Sequence, residues 1–302
     1  MKILCLGDLH LTDNRPANRT DDYWETCKRK LNFIFDTVDL EHVDAILSPG
    51  DVTNSPALSN LELRELISLF KTRLKVDFFT TYGQHDLRYR TRPQAALPLL
   101  EEAIGPEMFH VMDKNTSIDF ERTHTTINAS AYGEEVPDPI EDHFNILIIH
   151  RMIIEEKLWN AQAEYEPSNT FLRQHNYDLI VSGDNHKSFI TTTKGNRVLI
   201  NCGAMLRSNI GQVDHKPFIV LFDTETRKYE KIYIPIEDGE KVFKIGEVEL
   251  AKERNANLET FISGLSSSKS IDLTFEDNLK RFIKENGIDE EVSKIITDAM
   301  RK

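Results

Sequence analysis

Five apolar runs punctuate the first two-thirds of the chain: "KILCLG" (2–7), "DAILSPG" (44–50), "DFFTTYG" (77–83), "NILIIH" (145–150) and "DLIVSG" (178–183). Each is short and ends on Gly or His, the pattern of a buried strand rather than a helix. Between the runs, apolar residues return at helical spacing, at Trp24, Cys27, Leu31, Ile34, Phe35 and Val38, and again at Leu63, Leu66, Ile67, Phe70 and Leu74. Strand–helix alternation of this kind predicts an α/β architecture. From "SFITTTKG" to "KYEKIYIPI" (188–236) the pattern turns β-rich, with "KGNR" (194–197) as a hairpin turn.

After residue 236 the patterning changes. "IEDGEKVFKIGEVELAKERNANLE" is polar and charged and reads as a connector. Two amphipathic helices are expected beyond it. One begins at Thr274, carries Phe275, Leu279, Phe282 and Ile283 on one face and stops at Gly287; the other follows Asp289 and carries Val292, Ile295, Ile296 and Met300. The predicted organisation is therefore a main domain over 1–236 and a connector with a small helical appendage over 237–302, either a cap or a docking element for a partner. No internal repeat is visible.

The chain has 302 residues, enough to bury a substantial core, with 39% hydrophobic and 29% charged residues. No apolar run approaches the roughly 20 residues that a membrane span requires, so no membrane association is expected. "MKILCLGDLH" is interrupted by Asp8 too early for a signal peptide. The three cysteines, Cys5, Cys27 and Cys202, lack paired spacing. They suit a reducing, cytoplasmic setting as small buried hydrophobes. A formal net charge of −13 argues against coating nucleic acid with a broad basic surface. It leaves room for an enzyme that meets phosphates through bound cations and a few local arginines.

The candidate chemistry lies at the strand ends. "GDLH" supplies Asp8 and His10, "PGDV" Asp51, "GQHD" Gln84, His85 and Asp86, "IIHR" His150, and "SGDNH" Asp184 and His186. In open α/β sheets, functional groups gather beyond the carboxyl ends of strands. Asp, His and amide oxygens are ligands suited to Mn²⁺, Fe²⁺ or Zn²⁺. Any one block is weak, since a Gly-Asp after a strand is commonly a turn; five in order, each after an apolar run, are not. His42, His110, His124, His143, His175 and His215 match no block and are expected in surface or core roles.

These five blocks resemble the calcineurin-type metallophosphoesterases, whose pattern is D-x-H, G-D, G-N-H-D, a lone His and G-H-x-H, here spread over residues 8 to 186. The resemblance implies a four-layer α-β-β-α sandwich with two divalent cations at one edge. It assigns Asp8, His10 and His186 to one metal, Asp51 to a bridging position, and His150, Gln84 and Asp184 to the second metal. His85 is then the catalytic acid or charge stabiliser, with Asp86 orienting its ring. Two cations acidify a water between them and neutralise phosphate oxygens for in-line hydrolysis.

Two positions depart from that pattern: Gln84 stands where the family has Asn, and Asp184 where it has His. Both fall on the second metal. Gln reaches one methylene further, and Asp184 adds a third carboxylate to Asp8 and Asp51. A more oxygen-rich site favours Mn²⁺ or Mg²⁺ over Zn²⁺, and Mn²⁺ is the expected ion. A less electropositive site should acidify its water less. A re-tuned active site, a weakly loaded one and a non-catalytic one all stay open.

Finer likeness leads toward DNA. "GDVTNSP" (50–56), "GQHDLRYRTRPQAALPLLEEA" (83–103) and "YDLIVSGDNHKSF" (177–189) with "NCGAMLRSNIGQVDHKP" (201–217) resemble segments of SbcD-type DNA-repair exonucleases. That resemblance implies a DNA exo- or endonuclease in repair or recombination. It also implies an SbcC-type SMC-like ATPase subunit as partner, and a homodimer. Arg88, Tyr89, Arg90 and Arg92 could grip a phosphate backbone and stack on a base, or simply pair with the protein's own carboxylates. Lys28, Arg29 and Lys30, on the first helix, are expected on a solvated face. The alternatives are a phosphodiesterase or phosphatase for nucleotides or other small esters, and a non-catalytic scaffold for an ATPase.

Overall fold

The computed structural model describes residues 1–87, 91–156 and 165–244, with Gly246 and Leu250 beyond them. The chain divides into two compact units, Met1–Lys244 and Ile245–Lys302. The two expected C-terminal helices lie outside the described residues. The start of the sequence's connector belongs to the first unit: a short helix at Gly239–Val242 buries Val242 and Phe243 there.

The first sheet holds β1 (Lys2–Cys5), β2 (Ala45–Ser48), β3 (Asp77–Thr81) and β4 (Phe109–Met112) in parallel. It is completed on the β1 side by antiparallel β13 (Phe218–Asp223) and β14 (Lys228–Tyr233). The second sheet has β12 (Val198–Asn201), β10 (Leu179–Gly183), β7 (Phe144–His150) and β6 (Thr125–Ser130) in parallel, with antiparallel β11 (Phe189–Thr192) and β5 (Ser117–Phe120) at its two edges. A two-stranded pair, β8 (Ile153–Ile154) with β9 (Glu166–Pro167), stands apart. The sheets face each other, β3 and β4 meeting β6 and β7. With helices on their outer faces this is the expected four-layer α/β sandwich.

Strand alternation sorts the side chains into layers. In β7, Ile146 and Ile148 enter the core between the sheets, while Leu147 and Ile149 join Phe171 and Leu172 of α4 (Ser168–Gln174) on the outer face. In β3, Phe78 turns outward to Phe70 of α2 (Asn60–Arg73), their rings 5.5 Å apart and edge-to-face, while Phe79 packs beside Phe120 of β5. Phe35 of α1 (Tyr23–Glu41) closes the same aromatic cluster against Phe70. Each helix starts where its sequence permits. Asp22 caps α1 by accepting from Glu25 N, and Ser59 with Glu62 forms a reciprocal capping box on α2. The "KGNR" turn closes β11 onto β12, with Asn196 at φ 59°.

Lys30 departs from the solvated face expected of it. It is 8% exposed, and its ammonium donates to Met205 O at 2.6 Å.

Among the described residues, no helix is long and apolar enough to cross a membrane.

Candidate metal centre

All five sequence blocks lie at the carboxyl ends of β1, β2, β3, β7 and β10, which the two sheets bring to one edge of the sandwich. The backbone is contorted to do this. His10, Asp51 and Asp184 all sit in the left-handed region, at φ 46°, 47° and 76°. Such conformations cost a non-glycine residue about 1 kcal/mol or more and concentrate at functional sites. The intervening glycines make room. A Cβ on Gly83 would fall 2.0 Å from Asp51 Oδ1, and one on Gly50, at φ +104°, would fall 2.8 Å from His150 Nδ1.

One half of the site comes together as the sequence implies. Ligand atoms of Asp8, His10 and His186 lie within 4.8 Å of one another. His10 Nε2 and His186 Nε2 are 2.9 Å apart, and His186 Nε2 is 3.7 Å from Asp8 Oδ2. Asp51 stands between the halves, its Oδ2 3.7 Å from His10 Nε2 and 3.4 Å from His150 Nε2. On the far side, Gln84 Nε2 donates to Asp184 Oδ1 at 2.8 Å. The backbone ties these pieces together: Asp184 N donates to Asp8 Oδ2 at 3.0 Å and His85 N to Asp51 Oδ1 at 2.8 Å.

Several polar atoms here are buried without a hydrogen-bond partner: Asp8 Oδ1, Asp51 Oδ2, Gln84 Oε1 and His150 Nε2. Each such atom costs about 1–3 kcal/mol if left unmet. All four are donor atoms that a divalent cation accepts. His150 is also held in the tautomer a ligand needs, because Nδ1 lies 2.8 Å from Pro49 O and donates to it, which aims Nε2 at Asp51. The residues present therefore fit a pair of divalent cations. Asp8, His10 and His186 would hold one, His150, Gln84 and Asp184 the other, with Asp51 between them.

The electrostatics agree. Burial pushes the Asp8 carboxyl up to about 8, with Asp51 and Asp184 adding to the rise and His150 opposing it. Burial pulls His10 down to about 3, keeping its ring neutral. Burial would lower His150 too, but Asp51, Asp8 and Asp184 outweigh it and raise that ring to about 10. Carboxylates crowded into so little water raise the affinity of the site for positive charge, which cations would supply.

The ring of His85 packs edge-on to His10 with centroids 4.7 Å apart, and its ligand atom gathers with those of His10 and Asp51. Its Nδ1 lies 3.2 Å from Asn54 O, not on Asp86. The expected orientation of His85 by the Asp86 carboxylate is thus corrected. Asp86 is fully buried, and its oxygens are taken by Thr53 N, Thr53 Oγ1 and Gly83 N at 2.9, 3.0 and 3.0 Å. Asp86 clamps the β2 and β3 loops together, and Asn54's carbonyl orients His85.

The arginine loop divides. Arg88, Tyr89 and Arg90 lie outside the described residues. Arg92 is not free for a phosphate: its guanidinium pairs with Asp113 and Glu134 and lies over the Tyr82 ring. Arg151 is likewise engaged, by Glu166 and the Glu134 carbonyl. His215 donates to Ala204 O at 2.7 Å, bracing the segment that bridges to Asp8. Sequence patterning missed Tyr132, 48% exposed beside His150 with ring centroids 6.4 Å apart. Its only sequence signal, an aromatic just beyond β6, needs that strand to be recognised first.

No curated protein matches the chain. Among solved structures, TT1561 of Thermus thermophilus is similar at 14% identity, covering 78% of this chain and 99% of that one with a TM-score of 0.51. GAP50, the anchor in the inner membrane complex of Plasmodium, is similar at 13% identity over 79% of this chain and 90% of that one, with a TM-score of 0.43. The calcineurin-like phosphoesterase family profile matches residues 1–188, a span that holds every candidate ligand; the chain belongs to the calcineurin-like phosphoesterases, a family of metal-dependent phosphoester hydrolases.

Proposed function

We propose that the chain is a two-metal phosphodiester hydrolase that cleaves DNA, with Mn²⁺ as the working ion. The observation that carries the reading is the donor set at the strand ends: three carboxylates, an amide oxygen and three imidazoles, with Asp8 Oδ1, Asp51 Oδ2, Gln84 Oε1 and His150 Nε2 buried and unmet. Four oxygen-bearing ligands favour Mn²⁺ or Mg²⁺ over the softer Zn²⁺. Two divalent cations bound there would acidify a water and offset phosphate charge.

The chain's own residues supply the rest. Asn54 O holds His85 by Nδ1, which leaves Nε2 to deliver a proton to the leaving oxygen. Asp86 ties together the two loops that carry Asp51 and His85 by accepting from Thr53 N and Gly83 N. DNA as substrate is supported by the likeness of residues 50–56, 83–103, 177–189 and 201–217 to SbcD-type exonucleases. An SbcC-type ATPase subunit as partner, a homodimer and a role in repair or recombination belong to the same reading. With a net charge of −13, grip on DNA by this chain alone should be weak and salt-sensitive.

A second reading, hydrolysis of nucleotides or other small phosphoesters, is favoured by one observation. Arg92 and Arg151 are engaged by Asp113, Glu134 and Glu166, so neither is at hand for a nucleic-acid backbone.

The test is hydrolysis of linear duplex DNA and of a chromogenic phosphodiester in parallel, with Mn²⁺, Mg²⁺ or EDTA and with Asp8→Ala as control. Mn²⁺-dependent loss of DNA, absent in the variant, is the expected result. Turnover of the small ester alone would replace the DNA reading with the second one. Silence on both would leave a scaffold for an ATPase.

A further inference from the structure

A cavity of about 360 Å³ opens between α1 and the segment 234–237, and none of the candidate metal ligands lines it. Arg19, Arg29, Lys30 and Arg207 bring positive charge to it, and Phe33 and Ile234–Ile236 give it apolar walls. That size falls within the range of small-molecule sites, which pair apolar walls with a few placed polar groups.

Its charges do not balance. Arg19 is met by Asp21 through two hydrogen bonds of 2.8 and 2.7 Å. Asp36, which also lines the cavity, pairs with Arg73 at 2.6 Å, and Glu237 reaches Arg29 at 3.7 Å. Lys30 and Arg207 are 8% and 3% exposed, and among the described residues neither has a carboxylate within ion-pair distance. Their hydrogen bonds go to carbonyls, Lys30 to Met205 O and Arg207 to Val213 O and Glu237 O. The Arg207 guanidinium also lies 5.8 Å from the Phe243 ring centroid, with the charges of Asp21, Asp214 and Glu237 in its wider surroundings. Burying a cation without a counter-charge is costly, and here two are buried side by side in an acidic protein. Burial, with Arg207 and Arg19 nearby, depresses Lys30 to about 7, as expected of an ammonium short of an anion.

We infer that this cavity is a ligand site for a phosphate monoester carried on a planar base, a mononucleotide in chemical class. Lys30, Arg29 and Arg207 would take the phosphate, and Phe33 with Ile234 and Ile236 would take the base. Arginine and lysine together at a partly dry site are a strong phosphate grip. The site is separate from the metal centre and does not depend on the reaction performed there.

The test uses the full chain in EDTA, so that phosphate cannot be held by cations at the metal centre. Binding of dAMP, inorganic phosphate and adenosine is measured by calorimetry, with thermal unfolding alongside. The expected result is saturable 1:1 binding of dAMP, at least tenfold tighter than phosphate or adenosine, with a rise in Tm. Lys30→Met keeps the buried stem and should weaken dAMP at least tenfold. Arg29→Ala, on a half-exposed side chain, should weaken it severalfold without disturbing the fold. No binding of dAMP overturns the inference. So does binding that is unchanged in both variants, which would place the nucleotide elsewhere. Phosphate binding as tightly as dAMP would overturn the ligand class.

Discussion

Gln84 Nε2 donates a 2.8 Å hydrogen bond to Asp184 Oδ1 across 100 residues of sequence. These are the two positions at which the chain departs from its family's motif, and they touch each other. The longer side chain of Gln84 reaches the shorter one of Asp184, and the bond leaves Gln84 Oε1 buried and unmet. The two departures are therefore one feature, an amide–carboxylate pair.

A coupled pair makes a specific prediction. Gln84→Asn and Asp184→His, each a single return to the family residue, should each weaken one of two Mn²⁺ binding events by about 10- to 100-fold. The double return should lose less than the two singles combined, because contacting residues couple by about 0.5–3 kcal/mol. Calorimetric Mn²⁺ titration of the four proteins reads this directly. Strict additivity would mean that the pair is an accident of proximity.

His85 is predicted to act on rate rather than on cation binding. His85→Ala should lower phosphodiester turnover by about 10²–10⁴-fold, the usual worth of a positioned acid, with two Mn²⁺ still bound. Because its ligand atom gathers with those of His10 and Asp51, a loss of one Mn²⁺ from the variant would make it a ligand instead.

Asp86 should behave differently from its neighbour. Asp86→Ala strands the N–H groups of Thr53 and Gly83 in a fully buried position. At about 1–3 kcal/mol for each unmet donor, the variant should unfold at visibly lower denaturant concentration and lose activity with it. His85→Ala should leave the denaturation midpoint almost unchanged. Equal midpoints for the two variants would remove the clamp assigned to Asp86.

Much of this was legible in the sequence, for identifiable reasons. The strands leading to the site read as mostly apolar runs because they are buried on both faces, and the residues that carry chemistry stand at or just beyond their ends. β6 escapes the apolar pattern because "TTINAS" is buried throughout yet polar in composition. Its hydroxyls find local acceptors, Thr125 at Thr123 O, Thr126 at Asp119 and Ser130 at Glu134 O, while Asn128 Nδ2 is buried without a partner. Asp86 does not orient His85 because neighbours in sequence on a turn need not face each other. Only the fold shows that its carboxylate points back to Thr53. Lys30 was misplaced for a similar reason: its aliphatic stem packs like an apolar residue while its ammonium finds Met205 O.

Gly83 is predicted to be indispensable for a steric reason. A methyl group there would lie 2.0 Å from Asp51 Oδ1 and 2.6 Å from Asp51 N, too close for either to stay in place. Gly83→Ala should therefore displace the Asp51 carboxylate and cost at least 10²-fold in turnover, together with loss of tight Mn²⁺ binding. Turnover within a few-fold of the parent would mean that the β3 loop can shift and that Asp51 is not held by it.

Lys30 sets a pH dependence of stability whose sign can be worked out. Its ordinary value is 10.5, and burial with Arg207 and Arg19 lowers it to about 7 in the folded chain, Cys27 opposing weakly and Arg29 adding to the fall. Below pH 7 both states carry the proton, so the folded chain bears the full penalty of a buried ammonium. Between about pH 7 and 10.5 the unfolded chain binds a proton that the folded chain does not, and this group makes stability rise with pH. Above that window the penalty is gone. Lys30→Met removes the titration while keeping the stem's packing. The variant should be more stable than the parent at pH 6.5, and the gap in Tm should shrink steadily toward pH 10. Groups remote from Lys30 titrate in both proteins and cancel in the difference, and Cys27→Ala placed in both backgrounds removes the thiol that acts on Lys30. A gap that stays constant across the window would mean that Lys30 keeps its charge when folded, as it would if a tightly held anion already sat beside it.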